Sequence, residues 1–140
     1  MVMRIKSLAH VCLKVGDLAQ TTAFYCDVLG MRKVFNFTRK GHIIGFYLKA
    51  SNDTFIEVFH DSEVGPNGPG RPLNHFCLET DSIDGLWHRL AEHGHTPGQI
   101  IMGADNALQF WVKDPSGLAV EFQQYTDRSS QTTGGDVEVL

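Results

Sequence analysis

Apolar and polar residues alternate between Ser7 and Val15, which sets Ala9, Val11, Leu13 and Val15 on one side and Leu8, His10, Cys12 and Lys14 on the other. That period of two predicts a β-strand whose apolar side packs under a helix. Asp17 is a ready N-cap, and the helix it opens is expected to run to Leu29 and stop at Gly30. Three further strands are expected at residues 31–37, 42–49 and 54–60, parted by the turn-forming runs Arg39-Lys40-Gly41 and Ala50-Ser51-Asn52-Asp53. The glycine- and proline-rich run 65–70 suits neither a helix nor a central strand, so the segment from Asp61 to Pro72 reads as a connection. The pattern then restarts. A strand over Leu73–Thr80 leads to Ile83, Leu86, Trp87, Leu90 and Ala91, spaced as the apolar stripe of a helix that Asp81 or Ser82 caps and Gly94 ends. Strands near 98–102, 107–113 and 118–125 follow, the last two joined by a tight turn at Asp114-Pro115-Ser116-Gly117.

The two halves are copies of each other. A shift of 64 positions carries residues 46–59 onto residues 110–123 without a gap and lays Glu57 on Glu121. A shift of 65 lays Leu8–Leu13 over Leu73–Leu78, so that His10 falls on His75. The fold class is therefore α+β: two βαβββ modules, about residues 5–60 and 72–125, forming a curved mixed β-sheet cleft with helices on its outer face. Residues 1–125 are expected to make one domain from these two repeats, and the polar stretch 126–140 reads as a flexible tail.

Composition narrows the partners. Half of a 140-residue chain is marginal as an independent fold, so the copies are expected to share one core or to exchange partners in a homodimer. The formal net charge is -4 and the 12 Lys and Arg residues are scattered, which argues against nucleic acid and for a small-molecule substrate. No apolar run is long enough to span a bilayer and the N-terminus lacks a signal-peptide core, so the chain reads as soluble, cytoplasmic and without a membrane partner. Cys12, Cys26 and Cys77 form neither a C-x-x-C pair nor an even framework and are expected to be reduced, mostly buried thiols.

A duplication that repeats one His and one Glu in register is hard to explain as packing alone. His10, Glu57, His75 and Glu121 are accordingly the candidate ligands of one divalent metal. Two imidazoles and two carboxylates suit Ni, Zn, Co, Mn or Fe and leave one or two positions open, the mark of a catalytic site. A metal acidifies the C–H beside a substrate carbonyl or hydroxyl, and a neighbouring carboxylate removes and returns the proton. His42, His60, His88, His93 and His95 have no repeat partner and read as solvated residues. Trp87 belongs to a helical stripe and reads as core, whereas strand parity leaves Trp111 and its repeat mate Tyr47 either lining the cleft or packed beneath it.

The stretches His10–Leu18, Phe24-Tyr25, Val28–Met31, Leu73–His75 and Asp114–Glu121 resemble the vicinal oxygen chelate superfamily of glyoxalases, bleomycin-resistance proteins and dioxygenases, built from paired βαβββ modules. The resemblance covers about residues 5–125. The order His, Glu, His, Glu is similar to glyoxalase I, a lactoylglutathione lyase, whose four ligands often come from two subunits of a dimer. The resemblance implies that Glu121 is the proton-transfer base and that Glu57 stands on the opposite side of the substrate. It implies glutathione as a cosubstrate, whose carboxylates call for cations; Lys14, Arg39 and Arg71 are the candidates, with Trp111 as a further lining residue. Two departures bear on that substrate: Lys14 stands where bacterial glyoxalases commonly have Arg, and Gly103-Ala104-Asp105-Asn106-Ala107 replaces a Gly-Gly-Thr-like stretch. The same quartet fits a metal-dependent epimerase of a sugar or acyl substrate. A ring-cleaving dioxygenase or a fosfomycin-modifying transferase uses fewer protein ligands, and a non-catalytic drug-binding module needs none.

Overall fold

A computed structural model describes residues 8, 10–52, 54–64, 73, 75–133 and 135–136, and for His10 the backbone alone. The chain divides into two compact units at Gly65 and Pro66. The first holds β1 (His10–Val15), α1, β2 (Arg32–Arg39), β3 (His42–Lys49) and β4 (Phe55–His60); α1 begins as α-helix over Leu18–Thr22 and continues as wider π-helix over Ala23–Val28. The second holds β5 (His75–Glu79), α2 (Ile83–Glu92), β6 (Ile101–Met102), β7 (Leu108–Lys113), β8 (Ala119–Gln124) and α3 (Ser130–Thr133). Both sheets have one order, β1-β4-β3-β2 and β5-β8-β7-β6. In each, the first and last strands pair in parallel and the rest antiparallel. Two βαβββ modules are thus confirmed, in an α+β fold.

Local chemistry explains the first module. Asp17 caps α1 by accepting from the Gln20 N–H at 2.9 Å, and Thr21, Phe24, Tyr25 and Val28 are buried along one stripe. The widening from Ala23 onward, where Leu29 N reaches back to the Phe24 carbonyl, is not a feature that hydrophobic spacing encodes. On the strands Leu13, Val15, Phe46, Leu48, Ile56 and Val58 are buried, while Cys12 and Lys14 are exposed, so the face assignment of the first strand holds. The turn after β2 is Lys40-Gly41, with φ of 50° and 80°, and Arg39 ends the strand rather than opening the turn.

The second module repeats this core with Phe110, Val112, Val120 and Phe122, and α2 lies against β7 and β8. Ser82 occupies the N-cap of α2 without a side-chain bond; the Ile83 N–H is satisfied instead by Gln124 Oε1 at 2.8 Å. Trp87 is half-buried, and its indole N–H donates to the Gly98 carbonyl at 2.7 Å. The turn at 114–117 forms as expected: buried Asp114 accepts from the N–H groups of Ser116 and Leu118, both at 2.9 Å. The strand expected near 98–102 shortens to Ile101–Met102, although Gly98 N still donates to Trp111 O at 2.8 Å beside it.

Two expectations change. Cys12 and Cys77 are exposed rather than buried, since both stand on the sheet face away from the packed core. The polar tail does not run loose from Thr126. The buried Ser129 hydroxyl donates to the Asn106 carbonyl at 2.9 Å, Thr126 Oγ1 donates to the same oxygen at 2.7 Å, and a helical turn follows at α3. The Asp61–Pro72 connection lies outside the described residues from 65 onward, as do Ser7, Ala9, Asp53 and Asn74.

Gly45 stands opposite Phe59, where an added Cβ would run into the Val58 carbonyl oxygen and approach Phe59 Cδ1 to 3.0 Å. Gly45→Ala is expected to destabilise the fold by about 1–3 kcal/mol, the usual cost of overpacking, read as a lowered midpoint in urea or thermal denaturation.

Candidate metal centre and its surroundings

Parallel pairing of β5 with β8 sets Cys77 beside Glu121 and His75 beside Ala119, two residues away and therefore on the same face. The two candidate ligands meet there, with His75 Nε2 3.5 Å from Glu121 Oε2. Trp111 pairs with Glu121 across β7 and β8, and its ring stands edge-on to His75 at 4.7 Å between centroids. Trp111 thus lines the ligand face.

Glu121 is only 8% exposed. Burial pushes its carboxyl above the usual carboxylate range; the His75 charge and a hydrogen bond from Gln123 oppose that rise, and the Asp105 charge adds to it. Gln123 Nε2 donates to Glu121 Oε1 at 3.1 Å and to Asp105 Oδ2 at 3.2 Å. Asp105 behaves oppositely, its carboxyl held low chiefly by the hydrogen bond from Gln131. An open recess of about 600 Å³ runs along these groups, lined by Ala104, Asp105, Gln109, Glu121, Gln123 and the α3 turn. Of this polar shell only Glu121 was singled out in the sequence. Gln123 carried a signal, since it lies two residues past Glu121 on the same strand; Asp105 and Gln131 come from a loop and the tail, where no periodicity points.

The first module repeats the register: His10 pairs with Phe55 in the backbone ladder, Cys12 with Glu57, and Tyr47 with Glu57. The surroundings of its acid differ. Phe35 stacks on Tyr47 at 4.8 Å, Tyr47 on Phe55 at 5.2 Å, and Phe37 on Phe59 at 4.5 Å across Gly45. Where the first module has Gly45, Phe55 and Phe59, the second has Gln109, Ala119 and Gln123. One acid sits among rings and the other among amides.

The remaining candidates separate. Lys14 is exposed and lies 3.9 Å from Asp61 Oδ2, Arg39 is exposed at the end of β2, and Arg71 lies outside the described residues. Although both cysteines are exposed overall, partial desolvation of the sulfur raises the Cys12 thiol with help from Glu57, and raises the Cys77 thiol to about 12 with help from Glu121, Asp105 and Glu79. Among the described residues no three His, Cys, Asp or Glu side chains form a cation-sized group. The His75–Glu121 pair nonetheless fits a divalent ion, because a buried carboxylate facing an imidazole nitrogen holds negative charge that a cation would balance, through donors that Ni, Zn, Co, Mn and Fe all accept.

The chain is similar to several known proteins. The chain is 26% identical over 129 residues to a probable lactoylglutathione lyase of Synechocystis sp., covering 86% of this chain and 97% of that one. It is 26% identical over 127 residues to the lactoylglutathione lyase of Salmonella typhimurium, covering 86% and 93%. Its fold matches the crystal structure of a glyoxalase family protein from Enterococcus faecalis with a TM-score of 0.73 at 23% identity, covering 86% of this chain and 99% of that one. The family model described as Glyoxalase/Bleomycin resistance protein/Dioxygenase superfamily matches residues 7–122, and with both modules and their repeated register in place the chain belongs to that superfamily.

Proposed function

We propose that this protein is a divalent-metal-dependent lyase or isomerase of the glyoxalase I type, which moves a proton within a small oxygenated substrate. The observation that carries the reading is the meeting of His75 and Glu121 on one face, in a register that His10 and Glu57 repeat. His10, Glu57, His75 and Glu121 would hold the metal, as one Ni, Zn, Co, Mn or Fe ion in a homodimeric protein. When bound, such an ion supplies the Lewis acidity that makes a C–H beside a carbonyl or hydroxyl removable near neutral pH.

The residues around Glu121 account for the proton. In the metal-free chain desolvation raises the affinity of its carboxyl for a proton above that of an exposed one, the direction that favours a general base. Gln123 occupies Oε1, so the oxygen that faces His75, Oε2, is the one placed to take and return a proton. Glu57 would face the other side of the substrate. The hemithioacetal of glutathione with a small oxoaldehyde is the substrate to test first, because the named relatives are lactoylglutathione lyases. A second reading has its own support: the stacked rings around Glu57 favour a flat aromatic ligand held without chemistry.

Metal-reconstituted protein is expected to turn over the methylglyoxal–glutathione hemithioacetal, and Glu121→Gln to lower kcat roughly 100- to 10,000-fold, as for loss of a general base. Inactivity with stoichiometric metal would shift the assignment to an epimerase of a sugar or acyl substrate; aromatic ligand binding without metal would favour the second reading. His75→Ala is expected to lose stoichiometric metal in elemental analysis of the purified protein, while its far-UV circular dichroism stays that of the parent.

A pH signature should accompany these changes in the metal-free protein. The folded chain binds the Glu121 proton more tightly than the unfolded chain does, so stability falls as pH rises from the ordinary carboxylate value, 4.5, through the raised folded one. Glu121→Gln should therefore raise the melting temperature at pH 8 and lose that advantage below pH 4.5. An advantage independent of pH would contradict the raised carboxyl.

A further inference from the structure

Gln123 follows Glu121 by two residues on β8 and is 7% exposed on the same face. Its amide cannot be turned over at no cost, because the carbonyl oxygen would then confront two carboxylates in place of the two N–H bonds at 3.1 and 3.2 Å. Asp105, the second of those carboxylates, is itself fixed from several sides. Gln131 Nε2 donates to its Oδ2 at 2.8 Å, Ala107 N donates to its Oδ1 at 3.2 Å, and Ser130 N donates to its carbonyl at 2.9 Å. Ser130 and Gln131 belong to α3, which buried Ser129 ties to the Asn106 carbonyl. A continuous line of hydrogen bonds therefore runs from the C-terminal segment through Asp105 and Gln123 to Glu121 Oε1, all within the second unit.

We propose that Gln123 is a positioning residue for Glu121, and that the C-terminal segment 126–133, acting through Gln131 and Asp105, holds Gln123 in place. The inference rests on the reading of Glu121 as a metal ligand. A hydrogen bond at Oε1 fixes the plane of the carboxylate and aims Oε2 toward His75 Nε2, which a carboxylate turning about its terminal bond would not keep. Gln123 and the segment after it fall beyond residues 7–122, where the superfamily match ends, so these residues add to the centre from outside the matched stretch.

The test is calorimetric titration of the metal-free full chain with Co²⁺, together with the visible absorption of the cobalt protein, which reports ligand geometry. Gln123→Leu is expected to weaken Co²⁺ binding about 10- to 100-fold, the usual effect of removing a group that orients a ligand, and to change the cobalt spectrum. Gln131→Leu should do the same to a smaller degree, and Gln131→Lys, which keeps an N–H donor for Asp105, should restore binding. Gln131 is exposed, so its variants carry the test should Gln123→Leu fail to fold. Wild-type Co²⁺ affinity and spectrum in Gln123→Leu, or in Gln131→Leu if that variant alone folds, would overturn the proposal and leave the metal centre standing. A parent protein that binds no Co²⁺ would overturn the metal-centre reading and this proposal with it.

Discussion

The parallel pairing of the first and last strand in each module is the constraint on which the rest depends. A parallel neighbour cannot be reached by a hairpin, so the chain must leave the first strand, form a helix and two antiparallel strands, and return beside its start. That return places the Glu of the last strand next to the Cys of the first and two residues along from the His. A slip of one residue would turn the acid into the core. Register, rather than nearness in sequence, brings an imidazole and a carboxylate to one face. The buried partners on the other face, Val58 and Phe122 among them, hold the register because they lose their burial if it changes.

With the backbone so constrained, the copies have diverged in what surrounds the acid. β4 alternates between buried and half-buried residues and its Glu57 stands among aromatic rings, whereas β8 is buried on both faces around Glu121. The difference traces to the 103–107 loop and the C-terminal turn, which cover the open face of the second sheet and bring amide and carboxylate groups to it. Two residues of one type in equivalent places thus stand in unlike surroundings, and at Glu121 burial among them raises the carboxyl.

The parts of the fold that were legible in sequence are those set by short-range repetition. Alternation in residues 7–15, the Ile83–Leu90 stripe, the cap at Asp17, the turn at 114–117 and the two repeat offsets point to the modules the structure has and to a His and a Glu that meet. What escaped had causes at a distance. The π-helical turn in α1 leaves no trace in apolar spacing, and the cap of α2 comes from Gln124, forty-one residues on. The polar composition of the tail suggests a loose segment, yet Ser129 is buried and bonds a carbonyl whose position the tail's own sequence does not reveal. Strand parity leaves Trp111 between two faces, and its pairing with Glu121 decides between them.

The exposed thiols on the two ligand faces acquire a meaning from the acids beside them. Cys12 and Cys77 stand next to Glu57 and Glu121, and desolvation of the sulfur, with the neighbouring carboxylate adding to it, raises both thiols above their ordinary value. Only a thiolate attacks electrophiles or peroxide at an appreciable rate. A face that gathers carboxylates thereby also keeps its own sulfur in the form least open to alkylation and oxidation, so small cysteine side chains can stand in the open on it.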